Sequence, residues 1–168
     1  MLPPKQLNFK RKEIKMNHLD LLTEEFQNKL DRFLIGCDSI EELDRWDKEA
    51  NGEMDLYYQN DLLSVILRLI AADGEVGKRE VEYLNRNFGF HSTVEEVGAI
   101  YRDCCENLGD AFLQNFKNDL DTLCSINKKL FDAYRELLGL ICQIIVESDW
   151  VVAEEELCEI GKLRALFS

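Results

Sequence analysis

An all-α bundle of about eight helices is the fold this sequence predicts, and three observations predict it. Apolar residues recur at the three-and-four spacing that places one stripe on one helix face. Two segments, 55–72 and 128–147, are apolar almost all round, which a helix tolerates only when other helices surround it. No window sustains the period-two alternation of a strand, and Gly and Pro, 9 and 2 in number, punctuate the joints. At 168 residues one unit is long enough to bury a sound core.

Each element follows from local signals. Leu19, Leu22, Phe26, Leu30 and Phe33 form the first stripe, with Asn17 to cap its start and Gly36 to end it. Ser39 followed by Glu42 is a capping box, so a second, short helix is expected to run toward Asn51-Gly52, closing a helical hairpin. Leu62, Leu63, Val65, Ile66, Leu67, Leu69 and Ile70 make the next helix a central one. Residues 77–88 place Val81, Leu84 and Phe88 on one side; Ser92 and Glu95 then cap a helix through Val94, Val97, Tyr101, Cys104 and Leu108, ended by Gly109. Asp110 starts a helix bearing Phe112, Phe116, Leu120 and Leu123. The second central helix, 128–147, follows, and 153–166 closes the chain. The expected organisation is a basic, flexible tail (1–16), the hairpin (17–53) and a helical core (54–168), packed as a single unit.

Charge and composition exclude several function classes. The chain carries 33 acidic against 20 basic residues, a net charge of −13. Nucleic-acid affinity rests on Lys and Arg displacing counterions, so nucleic acid is not an expected partner. The first fifteen residues hold Lys5, Lys10, Arg11, Lys12 and Lys15, but no apolar stretch of signal-peptide length follows them. The most apolar runs, 62–72 and 137–146, are short of the roughly 20 residues that span a bilayer. A cytoplasmic location is the expectation. Six cysteines (37, 104, 105, 124, 142, 158) lack C-x-x-C spacing and read as buried free thiols.

A shift of 76 residues superposes one helix-loop-helix on another: Asp73 falls on Asp149, Val76 on Val152, Glu80 on Glu156 and Leu84 on Ile160. In both copies a greasy helix ends at an Asp, a Val turns back to the core, and a Glu follows seven residues after the Asp. That Glu falls near the third residue of the next helix, where it can accept from the capping residue's N–H. The run Ala71-Ala72-Asp73-Gly74-Glu75-Val76-Gly77-Lys78-Arg79-Glu80, with its weaker echo at 146–156, resembles the tellurite-resistance TerB family. A similar domain fronts the membrane-anchored DnaJ-like co-chaperone DjlA. The resemblance covers about residues 55–168. It implies a bundle of two pseudo-repeated halves, acidic motifs that bind a divalent cation (calcium or magnesium), and a role in stress response through complexes with other proteins. Asp73, Glu75 and Glu80 match the first motif, and Asp149 and Glu156 the second. Trp150 and Val151 replace the second motif's glycine and second acid, which makes it the poorer ion site. No J-domain tripeptide is present, so co-chaperone activity does not transfer.

Asp73, Glu75 and Glu80 supply three side chains toward the six to eight oxygens of a calcium shell, and the alternative is a closed turn in which they only cap helices. The segment 47–55 (DKEANGEMD) resembles an EF-hand loop, but Tyr58 stands where the bidentate Glu belongs. The acids Glu136, Glu147, Asp149, Glu154, Glu155, Glu156 and Glu159 have no Lys or Arg between Arg135 and Lys162. They read as a solvated face or as a docking patch for a basic partner. With two histidines, His18 and His91, and no phosphate-binding glycine loop or nucleophile elbow, no catalytic set is recognised. The sequence therefore points to a non-catalytic binding or scaffold module. A plain protein-interaction or dimerisation domain, self-associating or not, with structural caps and no metal is the alternative.

Overall fold

The stripe that opens the chain does not stop at Gly36. Leu22, Phe26, Leu30, Phe33, Cys37 and Ile40 continue it at helical spacing and all are buried, so one helix serves the whole face. In a computed structural model, which describes residues 4–43, 45–71, 76–105, 110–148, 158, 161–162 and 164–166 (backbone only at 4–17, 104–105 and 110–112), α1 spans Pro4–Glu42. This corrects the expected start at Asn17, the stop at Gly36 and the capping box at Ser39. Pro fits the first turn of a helix, and nothing between residues 5 and 35 breaks one. Gly36 lies where α7 crosses: a Cβ there would come 2.5 Å from the Cδ2 atom of Leu130. Its missing side chain permits close approach rather than termination. The Ser39 hydroxyl donates to the Ile35 carbonyl one turn back, at 3.2 Å, instead of capping a new helix.

The short helix that follows is a single turn, α2 (Lys48–Asn51), which ends at Asn51-Gly52 and starts at Lys48 rather than at Ser39. Asp47 caps it by accepting from the Ala50 N–H at 3.1 Å, and Gly52 reverses the chain at φ +75°. Helix α3 (Met54–Ile70) has an N-terminus capped from another element: the Glu41 carboxylate accepts the Met54 N–H. Then come α4 (Lys78–Phe88), α5 (Val94–Cys105), α6 (Asp110–Ile126) and α7 (Lys128–Glu147). Thr93, not Ser92, caps α5, accepting from the Glu96 N–H at 3.2 Å; Ser92 is held by paired bonds to the Asn85 amide. Asn127 caps α7 through the Leu130 N–H at 3.0 Å. Residues 158, 161–162 and 164–166 are helical, and Leu166 packs on the core. The molecule is all-helical, with no strand among the described residues.

Helix α1 lies along α7, α3 and α4; α6 packs on α7, and α5 on α3 and α4. The two segments expected to be central are central. Nine residues of α3 and nine of α7 are buried on several faces. Aromatic rings bridge the layers edge to face: Phe33 to Tyr58 at 6.0 Å, Tyr58 to Tyr134 at 5.5 Å, and Trp46 to Tyr57 at 5.2 Å between centroids. No described helix is long and apolar enough to cross a membrane.

Candidate functional site

Of the five acids singled out by sequence, Asp73, Glu75, Asp149 and Glu156 lie outside the described residues. Glu80 is the third residue of α4, and its Oε2 accepts the Gly77 N–H at 2.9 Å. This is the capping geometry the spacing anticipates, and Val76 beside it packs on the core. One Glu80 oxygen is thereby engaged by a backbone N–H. Among the described residues no three His, Cys, Asp or Glu side chains converge as a metal-ligand set. The EF-hand-like segment has structural work instead: Asp47 caps α2, and Tyr58 is buried. Of the C-terminal acids, Glu136 pairs with Lys29 at 3.1 Å and Glu147 with His18 at 3.0 Å, tying α7 to α1; Asp149, Glu154, Glu155, Glu156 and Glu159 lie outside the described residues.

A different site emerges where α3, α5 and α6 meet. On α3 the residues Tyr57, Asn60, Asp61 and Ser64 follow one another at three-and-four spacing, a polar stripe on a helix that is otherwise greasy. On α6, Asn115, Asn118 and Asp119 share a face in the same way. These residues, with Asn51, Gly52, Glu53, Leu56, Ile100, Asp103 and Phe116, line a cleft of about 660 Å³. The tyrosines hold its two walls together. Tyr57 donates to Asp119 Oδ1 at 2.6 Å, and Tyr58 donates to the Asp119 carbonyl at 3.0 Å.

The electrostatics centre on Asp61. Burial first, then a hydrogen bond to Asp119 and the charge of that residue, push the Asp61 carboxyl up to about 9. As a carboxylate its Oδ2 is enclosed and has no hydrogen-bond donor among the described residues; as a carboxylic acid it becomes the donor to Asp119. Two carboxyls facing each other in a low-dielectric wall retain a proton between them, because both cannot ionise cheaply. The surrounding phenols are raised too, Tyr57 by burial and then its bond to Asp119, Tyr134 by burial and then the Asp61 charge. They remain donors. The Tyr134 hydroxyl is enclosed with no hydrogen-bond partner among the described residues.

Among the described residues the cleft lining contains four acids and no Lys, Arg or His. It offers hydrogen-bond acceptors and amides, and it lacks a nucleophile with a base: Ser64 donates to the Asn60 carbonyl at 2.8 Å, and neither histidine lines it. Sequence reasoning missed the cleft because a helix apolar on most faces hides a four-residue stripe. The signal was present in the spacing of 57, 60, 61 and 64.

Comparison with family models, with curated proteins and with solved structures finds no match. The thiols divide: Cys37 and Cys142 are buried, while Cys124 and Cys158 are exposed, a departure from six buried thiols. Burial pushes the Cys37 thiol up to about 12, which suppresses its thiolate.

Proposed function

We propose that this chain is a non-catalytic helical binding module that engages a protein partner through basic side chains. The observation that carries the reading is the cleft between α3, α5 and α6, lined by Glu53, Asp61, Asp103 and Asp119 with no cationic side chain among the described residues of its lining. A net charge of −13 adds long-range attraction for such a partner. The test is titration of the chain with a Lys- and Arg-rich peptide at low and high salt, beside an acidic control peptide. The basic peptide binds and weakens as salt rises, and the control does not bind. Absence of basic-peptide binding at low salt overturns the reading, as does turnover of generic ester or phosphoester substrates lost in Asp61→Asn.

A second reading rests on the resemblance to the TerB family at 71–80: a cytoplasmic scaffold in a stress-response or envelope-linked complex that also holds calcium or magnesium near Asp73, Glu75 and Glu80. The spacing of Glu80 seven residues after Asp73 supports it, and the bond of Glu80 to Gly77 weighs against it. Calorimetric titration with each cation decides. Heat abolished by Asp73→Asn favours the ion, and no heat at millimolar concentration removes it.

A further inference from the structure

We propose that the cleft between α3, α5 and α6 is a seat for one ammonium or guanidinium group, held against the Asp61 and Asp119 carboxyls. The inference rests on the reading of the chain as a module for basic partners and names where the decisive side chain goes. Three observations carry it. The cleft, about 660 Å³, is large enough for the end of a Lys or Arg side chain with water. Its charged lining among the described residues is of one sign. And Asp61 lines the cleft beside Asp119 with one carboxyl oxygen enclosed and lacking a donor among the described residues, so in the free chain a retained proton balances that carboxyl.

Two kinds of cation can balance the charge of the Asp61 carboxylate. A proton is the smaller one, and it leaves Asp61 neutral. An ammonium or guanidinium in the cleft supplies full positive charge to both carboxyls, so Asp61 releases its proton to solvent as the ligand arrives. One proton leaves and one cation enters, and the charge of the wall is conserved. Arg suits the site by its fork of donors, which can span the carboxyl of Asp119 and the amide oxygens of Asn115 or Asn118. Among the described residues, the titratable groups that interact with Asp61 are Asp119 from α6, Tyr57 and Tyr58 from its own helix and Tyr134 from α7, and Asp103 from α5 and Glu53 line the same cleft. Only carboxyls and phenols are among them, and the phenols, raised by burial, stay neutral over the range in question. The proton on Asp61 is therefore the one that exchanges.

The experiment uses the full chain and two probes: an Arg- and Lys-containing decapeptide, and spermidine as a free amine. Calorimetry between pH 6 and 8, in two buffers of different ionisation enthalpy, reads affinity and proton release together. The expected result is peptide binding that strengthens by up to about tenfold per pH unit with release approaching one proton. Asp61→Asn is expected to abolish the proton release and the pH dependence, and Asp103→Asn to weaken binding several-fold while leaving the release intact. Peptide binding without proton release, unchanged in Asp61→Asn, overturns this inference and leaves the module reading standing. Spermidine binding with proton release and no peptide binding supports the seat but overturns the protein-partner reading. No binding of either probe at millimolar concentration overturns the inference.

Discussion

Asp61 is a residue whose cost to the fold depends on pH. Its carboxyl is raised from 3.8 to about 9, so the native chain holds this proton more tightly than the unfolded chain does. The sign follows from linkage. The proton's contribution to stability is fully present below about pH 4 and declines as pH rises toward about 9, with a slope of up to about 1.4 kcal/mol per pH unit. Asp61→Asn, of the same shape and with no proton to hold, is expected to flatten that slope and to be more stable than the parent at pH 8 in urea denaturation. A variant less stable than the parent at pH 8 would falsify the account of a strained carboxyl. Tyr134→Phe deletes an enclosed hydroxyl that has no partner among the described residues, and it should leave stability within about 1 kcal/mol or raise it. A loss of several kcal/mol in the thermal or chemical unfolding of that variant means the hydroxyl is satisfied. Gly89 ends α4 at φ +73°, and a Cβ there would meet the Gln27 side chain, which donates to the Gly89 carbonyl at 3.0 Å. Gly89→Ala therefore adds backbone strain to a clash and should cost about 1–3 kcal/mol, read as a lowered urea midpoint.

At the scale of elements, caps are supplied both locally and from afar. Glu80 caps α4 from within its own first turn, and Glu80→Ala should cost about 1 kcal/mol whether or not the loop before it holds an ion. Comparing that loss with and without millimolar calcium separates the two roles: a loss that grows on adding calcium assigns a ligand role to Glu80, and an unchanged one leaves it a cap. Asn127 before α7 is of the same local kind, although its role is plain only once the helix start is seen. The Glu41 cap on α3 is of the other kind, since thirteen residues separate it from Met54 and no spacing rule connects them. The long α1 makes the same point in reverse. Gly36 and Ser39 carry the local chemistry of a helix end and a helix start, yet the helix runs through both. The apolar stripe through Cys37 and Ile40, packed on the layer formed with α7, outweighs the roughly 1 kcal/mol that a mid-helix Gly costs. Terminal signals compete with burial, and a one-dimensional reading weighs them without knowing which neighbour will cover the stripe.

For the whole molecule, a net charge of −13 on 168 residues sets up self-repulsion that a compact state feels more than an unfolded one. Surface pairs offset little of it: Lys29 bridges Glu25 and Glu136 at 3.1 Å each, but these partners are exposed and such pairs contribute under about 1 kcal/mol. Raising sodium chloride from about 0.01 M to 0.5 M, with the Debye length falling from ~30 Å to below 10 Å, should therefore raise the thermal midpoint. A midpoint that falls with salt would mean that the ion pairs between α1 and α7 outweigh the repulsion.

The helical class, the two buried helices and most element boundaries after residue 53 were legible from the sequence. Periodicity and burial are the same fact there: a helix with apolar residues on every face has nowhere to go but the interior. What packing alone decided is the run of α1 through Gly36 and Ser39 to Glu42 and the cleft on the polar edge of α3. Tyr57 and Tyr58 belong to α3 and Asp119 to α6, so the distance that makes Asp61 hold its proton is a property of how two helices are set against a third. Hydrophobic spacing fixes which face turns inward, and only the arrangement of neighbours fixes what a polar group on the edge of that face will meet.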